Sequence, residues 1–329
     1  MSEATSAPSA SHGSTPSSTE AVSTRPSDGY NQVVVYLIDA SVYVFRAYYS
    51  MPPDMLDREG NPAHALFGFA RFLGDLIERA KPRYIAVAFD ESLETSFRNR
   101  IDPSYKANRE PAPADLKLQF ARCREFCRHI GVADFGSGEY EADDIIGTLA
   151  TRLRAEGSPA TLVTRDKDLA QLVREGDVYW SYTDNLRLRH HEIEAHFGVV
   201  PERYADYLAL TGDAVDNIKG VPGVGPKTAA ALLKEFTSLE ELYDNLEGVA
   251  ALPIRGAGKL GARLAEHREA AFLARRLTAI AIDMPLEACL EQLQPRAPDL
   301  TALGEFCDRH NFGPMLRRQG ERLAALAAA

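Results

Sequence analysis

Cysteine is scarce in this chain of 329 residues: Cys123, Cys127, Cys289 and Cys307 are the four present, with no CxxC pair among them. That excludes a disulfide framework and points to a reducing compartment. Cys123 and Cys127 fall on one helical face, where core packing is their expected role. No apolar run approaches the ~18 to 20 residues that span a bilayer, so a membrane-integral protein is not expected. The eight histidines make no metal motif, and His190 and His191, adjacent in sequence, read as surface residues. A basic or apolar start is also missing. Ser, Thr, Pro and Ala fill 20 of the first 29 positions, with Arg25 as the cation, so neither a secretory signal nor a transit peptide fits and residues 1–30 read as a disordered tail. Positive charge is short as well: 37 Lys and Arg stand against 47 Asp and Glu, a net charge of −10 that argues at first sight against a nucleic-acid partner.

Apolar material is plentiful, at 45% of the residues, enough for about two domains or one with elaborations. Three continuous apolar runs have strand length: VVVYLID (Val33 to Asp39), YIAVAFD (Tyr84 to Asp90) and Ala160 to Thr164, which leads into Asp166 and Asp168. An amphipathic helix is predicted from Ala63 to Ala80. Such strands alternating with helices indicate a parallel sheet covered on both faces, and ligands of such sheets bind beyond the carboxyl ends of the strands. Asp39, Asp90, Asp166 and Asp168 are therefore expected to meet on one edge. Singly, Asp39 or Asp90 reads as a helix cap; three acidic strand ends together do not.

The stretch Gly138 to Thr148, GEYEADDIIGT, follows a short apolar piece from Val132 to Phe135 and can reach the same edge. Glu141, Asp143 and Asp144 precede Ile145, Ile146, Leu149, Ala150 and Leu153 at helical spacing, which puts three carboxylates in a first turn. The helix dipole favours an anion there by about 0.3 to 1 kcal/mol, whereas two carboxylates ~4 Å apart repel by ~4 kcal/mol at an effective dielectric of 20. Either the side chains splay into water or multivalent cations neutralise them, and oxygen ligands without His or Cys suit Mg²⁺ or Mn²⁺. On this stretch alone both readings stand.

From Pro201 the texture changes to short helices and tight turns. ERYADYLAL is predicted helical, and TGDAVDNIKGVPGVGPKTAAALLKEF places Gly220, Gly223 and Gly225 in turns before Pro226 opens a helix. Backbone amides in such a turn form an anion site, and the helix–hairpin–helix pattern GVPGVGPKTA suits a DNA backbone held without reading sequence; a plain helical corner is the alternative. Asp213 and Asp216 stand just before it. GAGKLGARL, Gly256 to Leu264, reads as a second phosphate loop or a plain connection.

Taken in order, LIDASVYVFRAYY, AVAFD, SFRNRIDPSYKANR, GEYEADD, TRDKDLAQL and TGDAVDNIKGVPGVGPKTA make Val33 to about Phe312 resemble the 5′-nuclease family. This is the fold of the N-terminal exonuclease domain of bacterial DNA polymerase I, phage 5′-exonucleases and flap endonucleases. Ala40 departs from the glycine common after the first Asp, and too little chain follows Phe312 for a polymerase domain. The resemblance implies a parallel-sheet, PIN-like α/β core over residues 31–198, with a helical arch at about 92–130. A helical region over 199–329 would carry the helix–hairpin–helix at about 201–236. It implies that Asp39, Asp90, Glu141, Asp143, Asp144, Asp166, Asp168, Asp213 and Asp216 carry two Mg²⁺ ions, with Mn²⁺ as a substitute. The first four would serve one metal region and the other five the second. It sets Lys106 against the scissile phosphate with Arg109 beside it, Tyr105 as a stacking residue, and Arg46 on phosphate. Arg98, Lys219, Gly220, Gly223, Gly225, Lys227 and Thr228 are implied DNA contacts, with K⁺ admitted at the hairpin. The arch region Arg98 to Arg128 holds eight Lys and Arg against four acids, so the local field there is positive despite the net charge. The implied activity is a 5′-3′ exonuclease and 5′-flap endonuclease in repair and primer or flap removal. It would act on DNA with a free 5′ end, a 5′ flap or a nick, as a cytoplasmic, nucleoid-associated bacterial monomer beside a separate polymerase and ligase. A non-catalytic branched-DNA scaffold and a PIN-type ribonuclease are the alternatives.

Overall fold

The computed structural model describes residues 33–91 and 95–328. The expected tail at 1–30 and the expected start of the arch at 92–94 lie outside them. Strands β1 (Val35–Asp39), β2 (Tyr84–Asp90), β3 (Ala133–Ser137), β4 (Ala160–Val163), β5 (Val178–Ser181) and β6 (Leu186–Arg189) form a sheet of order β3-β2-β1-β4-β5-β6. Neighbours are parallel from β3 through β5, and β6 turns back antiparallel on β5. The continuous apolar runs become strands because both faces are covered. Along β1 and β2 the side chains alternate between two cores: Val35, Leu37, Tyr84, Ala86 and Ala88 face one, and Ile38, Ile85, Val87 and Phe89 face the other.

The second of these cores is closed by α1 (Ala40–Ser50), α2 (His64–Ala80), α4 (Ala114–His129), α12 (Leu300–Arg309) and α13 (Pro314–Ala327). Cys123 and Cys127 are fully buried there, as their shared face predicts. Short α3 (Phe97–Ile101) precedes α4 across a non-helical segment, and α5 (Ala142–Ala155) covers the first face of the sheet. After α6 (His190–Phe197) come α7 (Tyr204–Thr211), a two-stranded ribbon of β7 (Gly212–Asp213) and β8 (Ile218–Lys219), then α8 (Pro226–Glu235), α9 (Leu239–Asp244), α10 (Ala257–Glu266) and α11 (Arg268–Thr278). These share the first core with α5, so the described residues pack as one unit. The chain leaves β1 for β2 on one side and returns to β4 on the other. The carboxyl end of β1, where Asp39 sits, is thus a topological switch point, the place where such sheets open a crevice.

Candidate active site

Each acidic residue reaches that crevice for a local reason. Asp39 ends β1 and caps α1, accepting from Ser41 N–H at 3.1 Å and from the Thr164 hydroxyl at 2.9 Å. Asp90 ends β2 and accepts from the Ser41 hydroxyl at 2.5 Å and from the first N–H of α5, Ala142, at 2.8 Å, which ties the start of that helix to the sheet edge. Glu141 is the N-cap of α5 and Asp143 lies in its first turn. Asp166 follows β4 and caps a 3₁₀ turn by accepting from Asp168 N–H at 2.9 Å. Asp213 and Asp216 come from the ribbon, Asp213 accepting from Val215 N–H at 2.8 Å. A cavity of about 280 Å³ is lined by Asp39, Asp90, Glu141, Asp143, Asp166, Asp168, Asp213 and Asp216.

Segment 104–109, SYKANR, lies over this cavity on the loop between β7 and β8. Lys106 N–H donates to Asp216 O at 3.0 Å, the Asn217 side chain to Ser104 O at 2.7 Å, and the Asn108 side chain to Ala214 O at 3.0 Å. Lys106 takes a left-handed backbone, φ 56°, and sends its ammonium into the acidic cluster, 2.5 Å from Glu141 Oε2 and 3.8 Å from Asp216 Oδ2. Arg109 pairs with the other oxygen of Asp216.

The electrostatics follow from burial and crowding. Burial, then Asp90 and Asp166, push the Asp39 carboxyl up to about 7. Burial and Asp166 push Asp168 up to about 8. Asp143 and Asp166 are also raised, both first by burial; Asp143 is raised further by Asp166, Asp39 and Asp90, and Asp166 by Asp216. Glu141 goes the other way: burial opposes its charge, but Lys106 and Arg98 outweigh that and hold it below the ordinary range. The buried Glu141 Oε1 and Asp168 Oδ1 accept no hydrogen bond. Crowded hard oxygen donors with unused lone pairs fit Mg²⁺ or Mn²⁺ rather than a softer ion. Among the described residues, no three His, Cys, Asp or Glu side chains are yet gathered closely enough to hold an ion. Lys106 lies among these carboxylates as an internal counter-ion, paired with Glu141 and 3.8 Å from Asp216.

Three expectations, for Asp144, Arg98 and Tyr105, are corrected. Asp144 does not face the cavity: it is fully buried, takes both Arg98 amino groups at 2.7 and 2.8 Å, and accepts from Glu141 N–H at 3.0 Å and Ala281 N–H at 2.8 Å. Arg98, expected on DNA, is 3% exposed and spends its remaining donors on Leu277 O and Ala279 O, so it holds the start of α5 instead. Tyr105, expected to stack on a base, is 3% exposed, with its hydroxyl 3.2 Å from both Glu141 and Asp216. Arg46 is exposed on α1 outside the acidic cavity, lining a separate cleft with Arg71 and Tyr182. Gly220 is required by packing, since a side chain there would strike the backbone of Leu210 to Gly212. Gly223 (φ 75°), Gly225, Lys219 and Lys227 are exposed on the hairpin, with Thr228 half-buried behind them. GAGKLGARL, expected as a second phosphate loop or a plain connection, instead opens helix α10, with Gly256 at φ 82° as its N-cap. Sequence reasoning missed the docking of SYKANR on the Asp213–Asn217 loop; the Asn residues in both segments were the available signal.

The model of the 5′-3′ exonuclease N-terminal resolvase-like domain matches residues 34–198, and that of the 5′-3′ exonuclease C-terminal SAM fold matches 199–301. A 5′-3′ exonuclease of Buchnera aphidicola (subspecies Acyrthosiphon pisum) is 32% identical over 279 residues, covering 84% of this chain and 94% of its own. DNA polymerase I of Pseudomonas aeruginosa is 40% identical over 274 residues, 83% of this chain and 30% of the polymerase, so the chain spans about a third of that relative. Among solved structures, T5 5′-exonuclease with bound zinc superposes with a TM-score of 0.61 at 19% identity, covering 89% of this chain and 99% of that one. The catalytic core of Rad2 with a DNA substrate reaches 0.59 at 14%, covering 89% and 91%. Two family models that abut across residues 34–301, with a free-standing relative matched over almost its whole length, leave one assignment: this chain belongs to the 5′-3′ exonuclease family.

Proposed function

We propose that the chain hydrolyses DNA at free 5′ ends and 5′ flaps with two Mg²⁺ ions, Mn²⁺ substituting, and leaves a 5′-phosphate on the product. The observation that carries this reading is the convergence of eight carboxylates from five separate segments on one cavity beneath Lys106. The T5 and Rad2 neighbours, crystallised with metal ions and with DNA, are in keeping with it.

Bound divalent ions would supply a water of lowered pKa and positive charge beside the leaving 3′-oxygen. Asp39, Asp90, Glu141 and Asp143 would hold one ion and Asp166, Asp168, Asp213 and Asp216 the other. Arg98 and Asp144 fix the first turn of α5, so Glu141 and Asp143 present their oxygens without rearranging the helix. Lys106 and Arg109, which pair with Glu141 and Asp216 here, would lie where they can meet the scissile phosphate, and preorganised charge there would stabilise the transition state. Amides at Gly223 and Gly225, with Lys219, Lys227 and Thr228, would hold duplex phosphates, and K⁺ is admitted at the same turn. We place the core at residues 31–198 and the helical region at 199–329. The expected role is as a monomer in the bacterial cytoplasm, associated with the nucleoid through DNA, in repair and primer or flap removal beside a separate polymerase and ligase.

Incubating the protein with a labelled 5′-flap duplex in Mg²⁺ and in EDTA tests this. Cleavage in Mg²⁺ alone is expected; an inert flap in Mg²⁺, or equal cleavage in EDTA, overturns it.

A further inference from the structure

Arg263 on α10 is half-buried and, among the described residues, has no acceptor for its guanidinium. The other half-buried arginines all have one: Arg154 donates to Asp177, Arg275 to Asp206, Arg152 to the carbonyls of Met284 and Leu286, Arg203 to that of Leu233, and Arg309 to Glu125. Its guanidinium nitrogens stay open to water, so they are free to take a partner from outside the chain. Its position says where. The guanidinium occupies the place where a side chain on Gly223 would begin, against the exposed turn that opens α8.

Lys259 stands four residues before Arg263, one turn earlier on the same helical face. It is exposed and has no ion partner among the described residues, and the same is true of Lys227 in the first turn of α8. Like charges at this spacing repel, and among the described residues neither side chain forms an ion pair with a carboxylate. Lys259, Arg263, the Gly223 turn and Lys227 therefore form a cationic strip. Arginine's planar fork suits a phosphate held by two parallel hydrogen bonds, and several cations in a line suit a repeating backbone rather than a single small anion.

We propose that Lys259 and Arg263 hold duplex DNA phosphates adjoining those held by the hairpin, so that α10 extends the grip along the same strand. This rests on reading the hairpin as the duplex-holding element. Neither residue lines the acidic cavity, so the pair positions the duplex and takes no part in the chemistry.

The test is equilibrium binding of a labelled 5′-flap duplex in EDTA, measured across salt concentrations. The proteins are the parent, Lys259→Ala, Arg263→Ala, their double variant, Arg263→Lys, and Lys227→Ala as the measure of the hairpin. The slope of log K against log salt should flatten by about 0.9 for each cation removed and by about 1.8 for the double variant. Arg263→Lys should keep most of the slope. In steady-state cleavage the double variant should lose through KM rather than kcat. If Lys227→Ala flattens the slope and the double variant does not, the hairpin reading stands and this proposal is wrong. If neither flattens it, both readings fall. Should Arg263→Ala melt well below the parent, Lys259→Ala decides alone, because that side chain is exposed and has no hydrogen bond or ion pair among the described residues; an unchanged slope there overturns the proposal.

Discussion

Asp143 and Asp144 are neighbours in one helical turn, yet replacing each by Asn should move stability in opposite directions. Asp144 accepts four hydrogen bonds, two of them from buried Arg98. Asp144→Asn keeps the volume but leaves the guanidinium without its counter-charge, a loss of about 3 to 5 kcal/mol for a broken buried pair. At roughly 2 to 4 °C per kcal/mol for a domain of 150–250 residues, and less for a longer chain, the melting point should fall by several degrees. Asp143 has no such partner and faces Asp166, Asp39 and Asp90, which raise its carboxyl after burial does. Asp143→Asn removes one negative charge from that crowd, so without metal it should melt at or above the parent. Thermal melts in EDTA decide the matter. With Mg²⁺, the parent should gain stability as RT ln(1 + [L]/Kd) and Asp143→Asn should gain less. The reasoning is refuted if Asp144→Asn melts as high as the parent or if Asp143→Asn melts clearly lower.

Three further outcomes follow from the same geometry. Lys106→Ala should lower turnover much more than duplex affinity, and it should also destabilise the metal-free protein, because Glu141 loses its counter-ion; equal losses of turnover and affinity in a binding and cleavage assay would make it an ordinary contact residue. Asp39 and Asp168 have folded-state pKa values raised from 3.8 to about 7 and about 8, so the folded state binds more protons than the unfolded chain between those limits. Stability in EDTA should therefore fall as pH rises from about 5 to 8, by up to ~1.4 kcal/mol per pH unit for each group. Glu141, whose pKa is lowered, loses its contribution only below that range. Melting points that climb with pH in EDTA would contradict this assignment, and saturating Mg²⁺ should flatten the trend. Gly220→Ala should cost about 1 to 3 kcal/mol through collision with the backbone of Leu210 to Gly212, measurable by denaturant unfolding; a variant as stable as the parent would show that the ribbon before the hairpin is loose.

Strand and helix periodicity made much of this architecture legible in the sequence. VVVYLID and YIAVAFD run apolar up to their closing aspartates, and ATLV is broken by Thr161 alone, because both faces of the sheet are covered; YIAVAFD became a strand over its whole predicted length, Tyr84–Asp90. A parallel sheet has one carboxyl edge, so acidic residues at three strand ends had to meet there. The hairpin was legible too, because Gly223 at φ 75° and Pro226 at the first helical position are local demands of the backbone. Only the tertiary structure separated Asp143 from Asp144. One residue on a helix turns a side chain by about 100°, and which way each points depends on Arg98, 46 residues earlier, and Ala281, 137 residues later. The same holds for Tyr105, Lys106 and Arg109, whose partners in the Asp213–Asn217 loop lie more than a hundred residues on. Lys106 stands in its left-handed conformation only because that loop holds its backbone. Arg263 belongs with them: its stretch reads as a phosphate loop or a connection where the structure has helix α10, and its place over Gly223 arises from packing between segments with no shared local pattern. Side-chain direction at such positions is set by contacts distant in sequence, where hydrophobic and turn periodicities carry no information.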